Sequence, residues 1–193
     1  MTPSKTKFSL QEFLDLPQSS DRSELVNGEI VNKVSPTSPH SRAQKRLLIM
    51  LNDWCERTNL GEVNPEWTIA LKRNSADWAP VPDLTYISYE RVPADWNGQG
   101  FCPGIPELVI EIISPGQSFG GMTSKATDYL LAGVDRVWVV DNQAQSVTVF
   151  GADEFPQTFW INDTISDVLL PEIDFAVANI FNGAPSADAN KSQ

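Results

Sequence analysis

Glu107-Leu108-Val109-Ile110-Glu111-Ile112-Ile113 is the stretch on which the fold turns. Leu108, Val109, Ile110, Ile112 and Ile113 leave no polar face, which is the pattern of a strand buried on both sides, and Pro115-Gly116 ends it. Strand alternation puts Glu107, Val109, Glu111 and Ile113 on one face. Glu111 is therefore a carboxylate in a run that demands burial, where an unpaired charge costs several kcal/mol. Protonation, a cation from another element or a metal ion would each neutralise it, and a strand less buried than its composition suggests would leave it in water.

Two long helices flank this strand in the sequence. Ser38-Pro39 starts one, with Ala43, Leu47, Met50, Leu51 and Trp54 recurring at spacings of three and four and Asn59 and Gly61 as the stop. The other spans 118–132, with Met122, Ala126, Tyr129 and Leu130 on one stripe and Gly133 suited to a left-handed C-terminal position. Further strands are expected at 62–71, at 84–88 entered through Val81-Pro82-Asp83, and at 136–141, with outer strands at 146–150 and 157–161. The Asn27-Gly28 pair between Ser23 and Val31 predicts a hairpin with a type I′ turn, since both central residues need positive φ. A short helix at 11–16 closed by Pro17, a closing helix at 173–181 and a flexible tail at 183–193 complete the expectation. The order reads as an α/β domain over 1–182 with a mixed central sheet.

Composition narrows the function classes. The 193 residues are 41% hydrophobic and include nine Phe and six Trp, enough to fill one core. Cys55 and Cys102 stand far apart with no paired spacing, so neither a disulfide framework nor a zinc ribbon is expected, and a cytoplasmic setting fits. Apolar runs reach about five residues, far short of the ~20 that cross a bilayer, and the first residues lack the apolar segment of a signal peptide. The net charge of −11 opposes polyanion binding by the overall field. The distribution is uneven, however. No acid stands between Ile30 and Asn52, where Lys33, Arg42, Lys45 and Arg46 lie, and no base stands from Val137 to Asn190. Arg42, Lys45 and Arg46 are the candidate nucleic-acid-binding residues, against the plainer reading of a solvated helix face.

Asp83 opens the strand before the one carrying Glu111, so pairing of the two strands would bring both carboxylates together. Such a pair repels unless a proton or cation intervenes, and Mg²⁺ is commonly held by one or two carboxylates with water and phosphate. Lys125, one turn before Tyr129, lies on the helix that follows the Glu111 strand and can fold its first turns over the carboxylates. A solvated lysine is the plain alternative.

The ordered set Glu24-Leu25-Val26-Asn27-Gly28-Glu29, Ser35-Pro36, His40, Val81-Pro82-Asp83, Pro106 to Pro115, Lys125, Tyr129 and Gly133 to Asp141 resembles the PD-(D/E)XK nuclease superfamily. Within it, the chain is similar to a restriction endonuclease-like family abundant in cyanobacteria. That resemblance implies a restriction-endonuclease-like core of helix, three strands, helix and strand. It also implies cleavage of DNA with Mg²⁺ or Mn²⁺, Asp83 and Glu111 as metal ligands, Lys125 as the catalytic lysine, and a homodimer. Two departures stand out: Ile113 occupies the usual lysine position, with Lys125 as its replacement, and Glu107 stands where the family carries aspartate. The resemblance also gives His40 and Glu24 unassigned roles near the site. The rival class is a descendant of this fold that binds nucleic acid or protein without cutting, which the −11 charge favours. A purely structural homodimer is the third reading, favoured if Asp83, Glu111 and Lys125 do not converge.

Overall fold

The computed structural model describes residues 7–16 and 23–181. The chain runs α1 (Leu10–Leu14), β1 (Ser23–Val26), β2 (Glu29–Asn32), α2 (Ser38–Thr58), β3 (Gly61–Pro65), β4 (Leu71–Arg73), β5 (Ala76–Ala79), β6 (Leu84–Ser88) and β7 (Leu108–Ile112). It continues with α3 (Phe119–Leu131), β8 (Arg136–Asp141), β9 (Ser146–Gly151), β10 (Gln157–Trp160), β11 (Thr164–Asp167), β12 (Leu170–Ala176) and α4 (Ala178–Phe181).

The central sheet has the order β10-β9-β8-β7-β6-β3. It is mixed, because β7 and β8 are parallel while β6 and β7, and β8 and β9, are antiparallel. The parallel pair follows from the crossover through α3. All five residues of β7 are buried, as its apolar run requires. Leu108, Ile110 and Ile112 pack with Leu47, Leu51 and Trp54 of α2 on one face. Val109 packs with Met122, Ala126 and Tyr129 of α3 on the other. Each such fully buried aliphatic side chain is worth about 1.5–3 kcal/mol in area removed from water, which is why this strand tolerates so little polarity.

A second sheet, β2-β1-β5-β4, joins the N-terminal hairpin to an internal one. Asn27 and Gly28 have φ of 54° and 80°, the left-handed pair the type I′ turn needs. Leu71 and Trp78 of this sheet share the apolar cluster on the α3 side, so the hairpin is fastened beside β7.

Three expectations need correction. The strand at 62–71 is broken: β3 ends at Pro65, Glu66 takes a φ of 52°, and Leu71 begins a separate strand in the second sheet. Asn74 and Ser75, at φ of 48° and 64°, turn β4 into β5, a hairpin the sequence hides because serine seldom adopts that region. Five strands, rather than three, therefore separate α2 from α3, although three of them, β3, β6 and β7, enter the central sheet. The closing helix at 173–181 is instead the end of β12 followed by α4. Ile173, Phe175 and Val177 alternate into the α2-side core, a period of two that short apolar runs leave ambiguous. Pro17 and the tail at 183–193 lie outside the described residues.

Candidate active site

Antiparallel pairing sets Leu84 opposite Ile110, so Asp83 enters beside Glu111 at the shared end of β6 and β7. Both carboxylates line one cleft of about 700 Å³, together with Glu24, Lys33, His40, Glu66 and Lys125. Asp83 and Glu111 are only 2% and 4% exposed, so their partners decide whether either can carry charge.

Asp83 is fully engaged. Its Oδ2 accepts from the Ile112 backbone N–H at 2.7 Å and faces His40 Nε2 at 3.1 Å, while Oδ1 accepts from Lys33 Nζ at 3.0 Å. Burial alone would raise its pKa, but the His40 hydrogen bond and the charges of Lys33 and His40 outweigh it and hold this carboxyl below its ordinary value. Because an ionised carboxylate only accepts, the Nε2 proton of His40 points at Asp83. His40 Nδ1 is buried and has no hydrogen-bond partner among the described residues.

Glu111 lies on the α3 side of the sheet and meets that helix directly. Tyr129 donates its hydroxyl to Oε1 at 2.7 Å, and Lys125 Nζ sits 2.9 Å from the same oxygen. The spacing of these two residues on α3, one helical turn, is what lets both reach one carboxylate. Burial pushes the Glu111 carboxyl up against the pull of Lys125, with Asp83 and Glu24 adding repulsion. The like-charge argument thus has the right direction, although burial is the larger cause. For Lys125, burial is overcome by Glu111 and Glu24, which keep its ammonium firmly protonated.

The N-terminal hairpin closes the arrangement. Glu24 on β1 accepts from Lys125 Nζ at 3.0 Å and from the Val81 N–H at 3.1 Å through the same oxygen. Just after β2, Lys33 donates to the Val81 carbonyl at 2.7 Å and to Glu66 at 2.9 Å as well as to Asp83. Gln44, one turn after His40 on α2, donates to Glu66 Oε1 at 2.9 Å and to the Asp83 carbonyl at 3.0 Å. Sequence reading missed Glu66 and Gln44 and took Lys33 only as one cation in an acid-free stretch. His40 and Gln44 do stand at the head of the Leu47 and Leu51 stripe, and two polar residues on an apolar stripe are a legible sign of a partner.

Arg42, Lys45 and Arg46 lie elsewhere. At about 100° per residue they turn away from His40 and Gln44. Arg42 lines a separate recess of about 140 Å³ with Asn142 and Phe181, and Arg46 bonds the Ile180 carbonyl. The thiols of Cys55 and Cys102 are buried, which pushes them up to about 12 and about 11, so neither is a ready nucleophile.

Among the described residues, no group of three or more His, Cys, Asp or Glu side chains forms a preformed metal cage. The donors present still suit a hard divalent cation. Asp83 and Glu111 present carboxylate oxygens to one cleft, and each already draws an ammonium to itself. Mg²⁺ needs no more protein than this, because water fills the rest of its shell.

A mixed sheet between two helices, with this cleft at the ends of its middle strands, defines a nuclease-fold protein of the restriction-endonuclease-like class. The chain belongs to the Uma2 family, described as "Putative restriction endonuclease", which matches residues 10–178. A crystal structure described as "a putative nuclease belonging to DUF820 from Anabaena variabilis ATCC 29413" superposes with a TM-score of 0.77 at 25% identity, over 90% of this chain and 97% of that one. No curated protein matches the chain.

Proposed function

We propose that the protein is a metal-dependent endodeoxyribonuclease, with Asp83 and Glu111 as the ligands of Mg²⁺ or Mn²⁺ and Lys125 as the catalytic lysine. The observation that carries this reading is the convergence on one cleft of two buried carboxylates from adjacent strands and an ammonium from the covering helix. When bound, the cation supplies Lewis acidity toward a phosphodiester and acidifies water. Lys125 contributes a fixed positive charge: held between Glu111 and Glu24, it orients the attacking water and stabilises charge gathering on the phosphate. Its ammonium occupies the role that Ile113 cannot fill, reached from α3 instead of from the strand. Asp83, Glu111, Glu24 and Glu66 outnumber Lys33 and Lys125, so an anionic backbone enters this cleft only with the cation present. Arg42, Lys45 and Arg46 would grip DNA on a neighbouring face, and a homodimer would place one cleft on each strand.

Supercoiled plasmid nicking tests the reading. The wild type should nick in Mg²⁺ or Mn²⁺ and not in EDTA, and Lys125→Ala should lose cleavage while keeping the rise in melting temperature that the cation gives. Absence of metal-dependent nicking by the wild type would leave a nucleic-acid- or protein-binding module, whereas full cleavage by Lys125→Ala would move the lysine's role to another residue.

A further inference from the structure

The cleft contains a second ammonium that the proposed chemistry does not use. Lys33 Nζ lies 3.0 Å from Asp83 Oδ1 and 2.9 Å from Glu66 Oε2, and it donates to the Val81 carbonyl at 2.7 Å. Both line the cleft, and the Lys33 side chain is 16% exposed whereas that of Asp83 is 3% exposed, so the lysine is the more solvent-accessible member of the pair. The other two contacts of Asp83, Ile112 N–H and His40, both go to Oδ2. Lys33 is therefore the cation on Oδ1, the oxygen left for a metal.

The pairing has a particular form. Lys33 bridges Asp83 to Glu66, and Lys125 bridges Glu111 to Glu24. Each lysine thus touches one carboxylate of the proposed metal pair and one acid outside it. A lysine displaced from the first keeps the second, so it steps aside without being left uncompensated in a partly buried site. Glu66 is itself steadied by Gln44, which gives Lys33 a fixed point to turn on.

We propose that Lys33 is a built-in place-holder for the divalent cation on Asp83, a positioning residue that sets metal affinity by competing for Oδ1 and, once displaced, stays at the cleft on Glu66. This inference rests on the assignment of Asp83 as a metal ligand. It predicts an effect whose sign differs from that of a structural role. A lysine that merely held Asp83 in place would, on removal, leave a looser ligand and weaker metal binding. A competitor, on removal, leaves stronger binding.

Calorimetric titration with Mn²⁺ alone, without DNA, on the full chain separates these. Lys33→Met should bind Mn²⁺ roughly three- to tenfold more tightly than wild type, the change that loss of one competing ion pair makes. Lys33→Arg, which keeps the charge, should stay near wild type. Asp83→Asn should lose binding in either background. Equal or weaker affinity in Lys33→Met, with Asp83→Asn still abolishing binding, overturns the place-holder and leaves the metal assignment standing. Binding that survives Asp83→Asn, or no binding by any of the proteins, overturns the assignment itself and the inference with it. Circular dichroism checks each fold, and Lys33→Gln replaces Lys33→Met if the apolar variant unfolds.

Discussion

Asp83 and Glu111 share a cleft, but their surroundings shift the two carboxyls in opposite directions. The pKa of Asp83 is lowered, so its stabilising contribution is present above the ordinary carboxylate value and is lost as pH falls through the lowered one. That of Glu111 is raised, so the stabilisation from its protonated form is present below the ordinary value and is lost as pH rises through the raised one. Substitutions should therefore act in opposite directions on the metal-free protein at neutral pH. Asp83→Asn removes a carboxylate that accepts from Ile112 and Lys33, and it should cost about 1–3 kcal/mol in urea unfolding, a loss that shrinks in acid. Glu111→Gln resembles the protonated side chain and should leave stability unchanged or higher. A large loss in Glu111→Gln would mean that the Lys125 pairing outweighs burial. Both variants should lose the thermal shift produced by Mg²⁺ or Mn²⁺.

At the level of elements, α2 presents two sets of polar residues on separate faces. His40 and Gln44 reach the cleft, and Leu47 and Leu51 below them anchor the helix to the sheet. Arg42, Lys45 and Arg46 face elsewhere, so removing them should leave the cleft intact. Arg42→Ala with Lys45→Ala is expected to weaken DNA binding and flatten the dependence of log K on log salt by roughly two counterions, read by fluorescence anisotropy across a salt series. An unchanged slope would return these residues to a solvated face. The β1–β2 hairpin is the other element that reaches the cleft. Glu24 on β1 and Lys33 just beyond β2 both hold Val81, the residue two before Asp83, so the hairpin fixes the entry of β6 from two sides. Much of this was open to sequence reading: the Asn27-Gly28 turn, the two long helices and the β7 strand follow from local pattern. The β4–β5 hairpin and the register that sets Leu84 opposite Ile110 do not, because strand partners are chosen by distant surfaces.

Across the whole molecule, the C-terminal strands are joined to the sheet by a buried Arg136–Asp167 pair with Glu154 at its exposed edge. Arg136 on β8 is 5% exposed; its Nε donates to both Asp167 oxygens, at 3.1 and 2.8 Å, and Nη2 donates to Glu154 at 3.1 Å. Gly151 leaves room for this guanidinium, since a Cβ there would lie 2.0 Å from Nη1. Asp167→Ala leaves the buried Nε of Arg136 without its acceptor while Glu154 stays on Nη2, and it should cost about 1–3 kcal/mol, read by thermal or urea denaturation. Because the β11–β12 turn is not part of the cleft lining, nicking per folded molecule should stay at the wild-type level. No helix among the described residues is long and apolar enough to cross a membrane.

Local pattern by itself determined that Glu111 stands in an apolar strand, that two long helices flank that strand in the chain, and that Asp83 and Lys125 belong to the elements just before and after it. These follow from periodicity and burial cost, which nearby residues settle. Which lysine meets which carboxylate was decided only by the tertiary structure: Lys33 on Asp83, Lys125 on Glu111, and Glu66 and Glu24 behind them. Charge pairing acts through space over a few ångströms, between side chains from strands, helices and hairpins far apart in sequence. Chain order carries no record of that distance until the sheets have packed.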